Sequence, residues 1–266
     1  GHDRGPARRR VSRLRLRAAT ILRSAGVALL AAFLLSPGSF APLFAPLTQY
    51  GAPPIYDQGN LLSLTIAHLA LVLTAAAAST AVAVLLGIAV TRASGAEFLP
   101  MSRTLVNIGQ TFPPVAVLAL AVPLVGFGTR PTLIALFAYG LLPIFENTIA
   151  GLRTCPPALL EAADGMGMSA GQRLWTVELP LAMPMILEGV RLSLVISVGT
   201  ATIGSTVAAK GLGEVIIAGL LSNNTAFVLQ GGLLTGVMAV LLYDAMQVLE
   251  RRFCGAVHAH AHSHAV

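Results

Sequence analysis

Charge is scarce in this chain, and lysine is nearly absent. Of its 266 residues, 11% are charged and 55% hydrophobic, with a mean hydropathy of +0.78. A soluble globular domain carries about 25% charged residues. The shortfall, together with several long apolar runs, excludes an ordinary soluble fold and points to an integral membrane protein. The one lysine, Lys210, is followed by glycine. A phosphate-binding loop G-x-x-x-x-G-K-[ST] needs its lysine followed by Ser or Thr, so the chain is not itself an ATPase of that type. A nucleophile elbow, an HExxH pair and a supported pair of carboxylates are also missing, which leaves no constellation for an enzyme and no catalytic or metal-ligating set. Cysteine occurs only at Cys155 and Cys254, without CxxC spacing, and both read as cytoplasmic thiols outside any disulfide.

The net charge of +6 is concentrated. Eight arginines lie between Arg4 and Arg23, beside the first apolar run. Such an arm sets membrane orientation and touches anionic lipid headgroups. No basic face interleaved with aromatics is present to stack bases, so nucleic acid is not an expected partner.

Six apolar stretches follow, at about 18–35, 61–90, 104–125, 131–152, 189–208 and 226–249. Each satisfies the roughly 17 to 25 residues that a spanning helix requires. With the N-terminus inside, fifteen of the seventeen basic residues fall at cytoplasmic segments or their edges, and only Arg130 and Lys210 lie outside. The loop 36–60 contains no Lys or Arg, as an external loop should. Both termini are then cytoplasmic. The first stretch also resembles a secretory signal, but no convincing small-x-small cleavage site precedes SPGSFAPLFAPL, so a retained anchor is expected. At the other end, His258, His260, His262 and His264 alternate and would project to one side of an extended segment. A tail without a metal is the expectation.

One polar, glycine-punctuated segment interrupts the lipid-like pattern: EAADGMGMSAGQRLWTVELP, residues 161–180. Pro156 and Pro157 suit a first helical turn. Gly165 and Gly167 favour termination. Ser169 and Gln172 form the S-x-x-Q capping pattern that opens a second short helix, which Pro180 is expected to end. A cytoplasmic helix-turn-helix between two spans has two physical readings. One is a docking element, with small residues for close approach and Met166, Met168 and Trp175 for apolar contact. The other is an amphipathic loop lying on the membrane surface.

The residues here carry a resemblance. Glu161-Ala162-Ala163, three residues, Gly167 and then Leu179-Pro180 resemble the EAA motif of ABC importer permeases. GQTFPPVAVLAL (109–120), ALFAYGLLPIFENTIAGL (135–152), VELPLAMPMILEGVR (177–191) and Lys210-Gly211-Leu212-Gly213 are similar to permeases of osmoprotectant importers, which move glycine betaine, choline and carnitine. The likeness covers about residues 61–250. It departs at Glu146, where basic or neutral residues are frequent, and at Lys210, which interrupts a glycine run.

The resemblance implies an all-α polytopic membrane protein of about six transmembrane helices with a cytoplasmic coupling-helix insert. It divides the chain into a basic arm (1–23), a first span and external loop (24–60), a permease domain (61–254) and a histidine-rich tail (255–266). Glu161, Ala162, Ala163, Asp164, Gly165, Met166 and Gly167 would form the coupling helix seated on a separate ATPase. ATP and Mg would belong to that partner, with no cofactor on this chain. A second permease subunit, identical or paralogous, an extracytoplasmic solute-binding protein and membrane lipid complete the implied partners, in a bacterial inner membrane.

Polar groups within spans are the candidates for a translocation pathway, because they are costly to bury unpaired. Gln110, Thr111 and Pro113 break the third stretch and free backbone carbonyls, Asn147 lies low in the fourth, and Thr200 and Ser205 lie in the fifth. For the hydroxyls, a bond to the backbone one turn back is an equal reading. The intramembrane phenylalanines and tyrosines show no spacing suited to a cation cage. Three other transport or membrane readings remain open at this level. They are an importer of another zwitterion or amino acid, a stand-alone secondary transporter or channel, and a membrane enzyme. No inverted repeat or intramembrane charge chain favours the stand-alone transporter.

Overall fold

The computed structural model describes residues 23–263, with side chains to residue 252. The basic arm up to residue 22 and His264 lie outside the described residues, which are helical or irregular and contain no strand. Helix α1 (Arg23–Leu35) turns through 109° into a short run, Pro37–Leu47, that contains α2 (Ala41–Phe44). Then come α3 (Leu61–Thr91), α4 (Leu99–Thr111), α5 (Pro114–Val125) and α6 (Thr129–Arg153). The insert supplies α7 (Pro157–Gly165) and α8 (Ala170–Arg173). Last come α9 (Leu179–Ala201), α10 (Gly213–Leu221) and α11 (Thr225–Ser263). Four helical stretches are long and apolar enough to cross a membrane, or six if each of two bent pairs counts as one span.

Long-range contacts fix which ends lie together. Asn224 Nδ2 donates to the Pro53 carbonyl at 2.9 Å and Gln230 Nε2 to that of Pro54 at 2.8 Å, so the 48–60 loop caps the start of α11. At the far end Arg23 Nε meets Asp244 at 2.9 Å and ties α1 to α11. His68 is buried between α3 and α9. Leu212 N–H donates to its Nδ1 at 3.3 Å, so Nε2 carries the proton and donates to the Val198 carbonyl at 3.0 Å.

Helices α3, α6 and α9 form the centre. They close around Gly140: a Cβ there would lie 2.7 Å from Ser79 Oγ and 2.7 Å from Ser193 Oγ. That approach sets Ser79 Oγ 3.0 Å from the Phe137 carbonyl across the α3–α6 seam. Without a hydrophobic drive between helices in lipid, such small-residue contacts supply the packing.

Two expectations change. The third stretch is not one straight helix: at the expected break Ala96–Thr111 and Pro114–Val125 meet at 97°. Phe112 adopts φ −86°, ψ 138°, as a residue before proline prefers, and Pro113 has no N–H to continue α4. Pro180 does not end a helix either: Ala170 to Ala201 is continuous. A π turn at Leu174–Glu178 widens the backbone just ahead of Pro180, which relieves the ring's clash with the preceding turn. The fifth span therefore begins earlier than residue 189 and stops at Ala201, followed by a 3-10 turn, Ile203–Val207. Helix α11 runs to Ser263 and includes His258, His260 and His262.

Candidate functional site

The insert is built by its caps. Gly167 has φ +78°, and the turn it makes satisfies two orphan carbonyls of α7. Met168 N–H donates to Ala163 O at 3.1 Å and Gly167 N–H to Asp164 O at 2.9 Å, the paired bonds of a Schellman motif. Ser169 then opens α8 with a full capping box: Gln172 N–H donates to Ser169 Oγ at 3.3 Å and Ser169 N–H to Gln172 Oε1 at 2.8 Å. Gly165 remains within α7, and the left-handed residue is Gly167.

Of the seven candidate coupling residues only Ala163 is buried, while Glu161, Ala162, Asp164, Gly165, Met166 and Gly167 are exposed. Met166, just after α7, and Trp175, in the π turn after α8, are 71% and 72% exposed. Cys155, just before α7, is buried, and that burial pushes its thiol pKa up. A raised pKa leaves less thiolate at neutral pH. In a Cys254→Ser protein, maleimide labelling of native Cys155 is expected to be slower than that of the denatured chain at pH 7 and to rise with alkalinity. Equal native and denatured rates would refute it.

Charged side chains absent from the candidate set hold the insert against the spans. Arg92, the residue after α3, donates from its two terminal nitrogens to Glu178 at 3.1 and 2.6 Å. Glu178 also accepts from Arg173 Nε at 3.1 Å, and Arg173 reaches both oxygens of Asp164 at 2.7 Å. The S-x-x-Q box was visible locally. The Arg92–Glu178 pair spans 86 residues and has no local signature.

The pathway candidates lie in three separate places. Gln110, Thr111 and Pro113 cluster at the α4–α5 break, where Gln110 Nε2 donates to the Tyr139 carbonyl at 3.0 Å. The Tyr139 hydroxyl donates to the Phe112 carbonyl that the break leaves open. Asn147 sits on the α6–α9 seam and donates to the Pro143 carbonyl at 2.8 Å. Ser205, in the turn after α9, donates to the Ala209 carbonyl at 3.0 Å, and Thr200 is half-buried one turn before it. Thr202 and Thr206 bond three residues back, while Ser197 is buried with its hydroxyl unpartnered.

Glu146 is paired as well. Arg103 Nε and Nη2 donate to its two oxygens at 2.9 Å each, across the α4–α6 seam. Among the described residues the candidate span aromatics do not converge into a cage. Phe145 and Phe227 are in the core, Phe112 and Phe127 are exposed, and Tyr243 lies under Arg191 at 4.9 Å.

Residues 83–254 match the family described as binding-protein-dependent transport system inner membrane component. The osmoprotectant import permease protein OsmY of Salmonella typhimurium is 40% identical over 195 residues, 73% of this chain and 83% of that protein. The glycine betaine/carnitine/choline transport system permease protein OpuCB of Bacillus subtilis is 37% identical over 194 residues, 73% of this chain and 88% of that one. Among solved structures, the inward-facing MetNI methionine ABC transporter aligns with TM-score 0.65 at 22% identity, covering 73% of this chain and 95% of that one. An amino acid ABC transporter solved with histidines aligns at 0.61 and 18%, covering 82% and 98%. At those identities the two structures speak to the fold alone.

Proposed function

This chain belongs to the family of binding-protein-dependent transport inner membrane components, and from that premise we propose that it is the permease subunit of an ATP-driven importer of compatible solutes. The solute class is that of its relatives, named for osmoprotectants, choline, carnitine and glycine betaine. The geometric observation that carries the reading is the capped insert. Met166, at the C-terminus of α7, and Trp175, in the π turn after α8, are exposed there and offer apolar contact to a docked partner.

In this reading α7, with Glu161 to Gly167, seats on a separate ATPase that binds ATP and Mg. A second permease subunit completes the transmembrane unit, and an external binding protein supplies the solute. The insert, Arg92 and Arg173 belong to the cytoplasmic side, with both termini, and the 48–60 loop belongs to the opposite side; the arginine distribution supports that orientation. Gln110, Thr111 and Pro113 are the leading pathway group. Their helix is broken, and irregular backbone at membrane depth is tolerated where it lines protein or a watery cavity. Asn147, Thr200 and Ser205 would line other levels of the same route.

The test is reconstitution with the ATPase and binding protein in liposomes, followed by uptake of labelled glycine betaine, choline and carnitine. ATP-dependent uptake of at least one is expected. Uptake that needs no ATPase subunit would make the protein a channel or secondary transporter. Uptake confined to amino acids would overturn the solute class.

A further inference from the structure

Helix α3 has no short covalent link to the insert: α6 leads into it and α9 leads out. A displacement of α7 reaches α6 and α9 through the chain and reaches α3 through contacts, both the packing of α3 on those two helices and a charged path at its inner end. The described path is Asp164–Arg173–Glu178–Arg92, four residues joined by contacts of 2.6 to 3.1 Å. Its inner half is shielded, the Glu178 side chain being 5% exposed, whereas Asp164 at the outer end is 55% exposed. Arg92 also begins the turn into the next segment, since its carbonyl accepts from Gly95 N–H at 3.0 Å. The end of α3 and the approach to α4, which carries the Gln110–Thr111 break, are therefore held by the same residue.

The geometry points to Glu178 as a positioning residue: a charged strut that transmits movement of the α7 docking element to the inner end of α3 and the start of α4. This rests on the reading of α7 as the ATPase-docking helix. A two-bond fork fixes angle as well as distance, so it passes on a rotation or shift that an apolar contact would let slip. The pair is a poor choice for stability alone. Buried ion pairs gain little over apolar packing, and here Arg92 Nε is buried with no partner. The π turn at Leu174–Glu178 places the carboxylate opposite Arg92, and such turns recur at working parts of helices.

The experiment measures solute imported per ATP hydrolysed by the full complex in proteoliposomes, together with the amount of ATPase bound. Glu178→Gln and Arg92→Met are each expected to lower the ratio about fivefold or more, an ordinary size for coupling between sites, with bound ATPase unchanged. The double variant is expected to be no worse than either single one, because both cut one linkage. Asp164→Asn, which cuts only the exposed end, is expected to lower the ratio less.

A purely structural role would reduce the quantity of assembled complex and leave the ratio per complex intact. An unchanged ratio in assembled Glu178→Gln or Arg92→Met complex, or losses that multiply in the double variant, would overturn the strut. If Glu178→Gln does not assemble, Arg92→Lys takes its place: a lowered ratio supports the strut and an unchanged one overturns it. A wild-type complex that imports none of the three solutes overturns the functional reading instead, so the two failures are distinguishable.

Discussion

Gly167→Val is expected to lower ATP-driven uptake about tenfold or more while the protein still reaches the membrane. The residue holds φ +78° at the C-terminus of α7, and an L-residue there costs about 1–2 kcal/mol, more when β-branched. No atom lies within 4 Å of where a Cβ would sit, so the penalty is one of backbone torsion and not of crowding. Relieving it means unwinding the two bonds that close α7, from Met168 and Gly167, and re-aiming the helix that carries Glu161 to Met166. Asparagine enters the left-handed region more readily, so Gly167→Asn should retain most activity. Uptake assays beside membrane fractionation of both variants check this. Equal losses with Asn and Val would show that size, and not torsion, is what the position restricts.

Gly140→Val is expected to have the largest effect on stability. Its Cβ would meet Ser79 Oγ and Ser193 Oγ at 2.7 Å and Ser79 Cβ at 3.0 Å, so α3, α6 and α9 would have to part at their common crossing. Overpacking of this kind costs about 1–3 kcal/mol, occasionally more, and the separation would also stretch the contact between Ser79 Oγ and the Phe137 carbonyl. Gly236→Val on α11 is the matched control, because nothing lies within 4 Å of its added carbon. The thermal midpoint of the detergent-solubilised protein should fall clearly for Gly140→Val and much less for Gly236→Val. Equal shifts would place the effect in helix propensity instead of packing.

The membrane class, most of the spans and the caps of the insert were legible in the sequence because each depends on nearby residues. Apolar length sets a span, Ser169 with Gln172 sets a capping box, and glycine at 167 permits a left-handed residue. Proline was read less well. Pro113 breaks its helix as expected, but Pro180 lies inside a continuous one, since the π turn before it absorbs the distortion. Nothing local to VELP signals that turn. The bend of 97° between α4 and α5 was likewise hidden. A proline marks where a helix stops, and the direction of the next one depends on packing, here on Tyr139 and Gln110 bridging to the break.

The sequence alone determined a polytopic helical protein with one polar insert and a biased distribution of arginine. Hydrophobic length, charge placement and capping are properties of contiguous residues, and the surrounding solvent acts on them directly. Only the tertiary structure decided that Glu178 joins Arg92 across 86 positions, that Ser79 and Ser193 meet over Gly140, and that the candidate polar residues occupy three separate places. Those facts depend on how whole helices approach one another, and that is settled by the combined shape of many side chains.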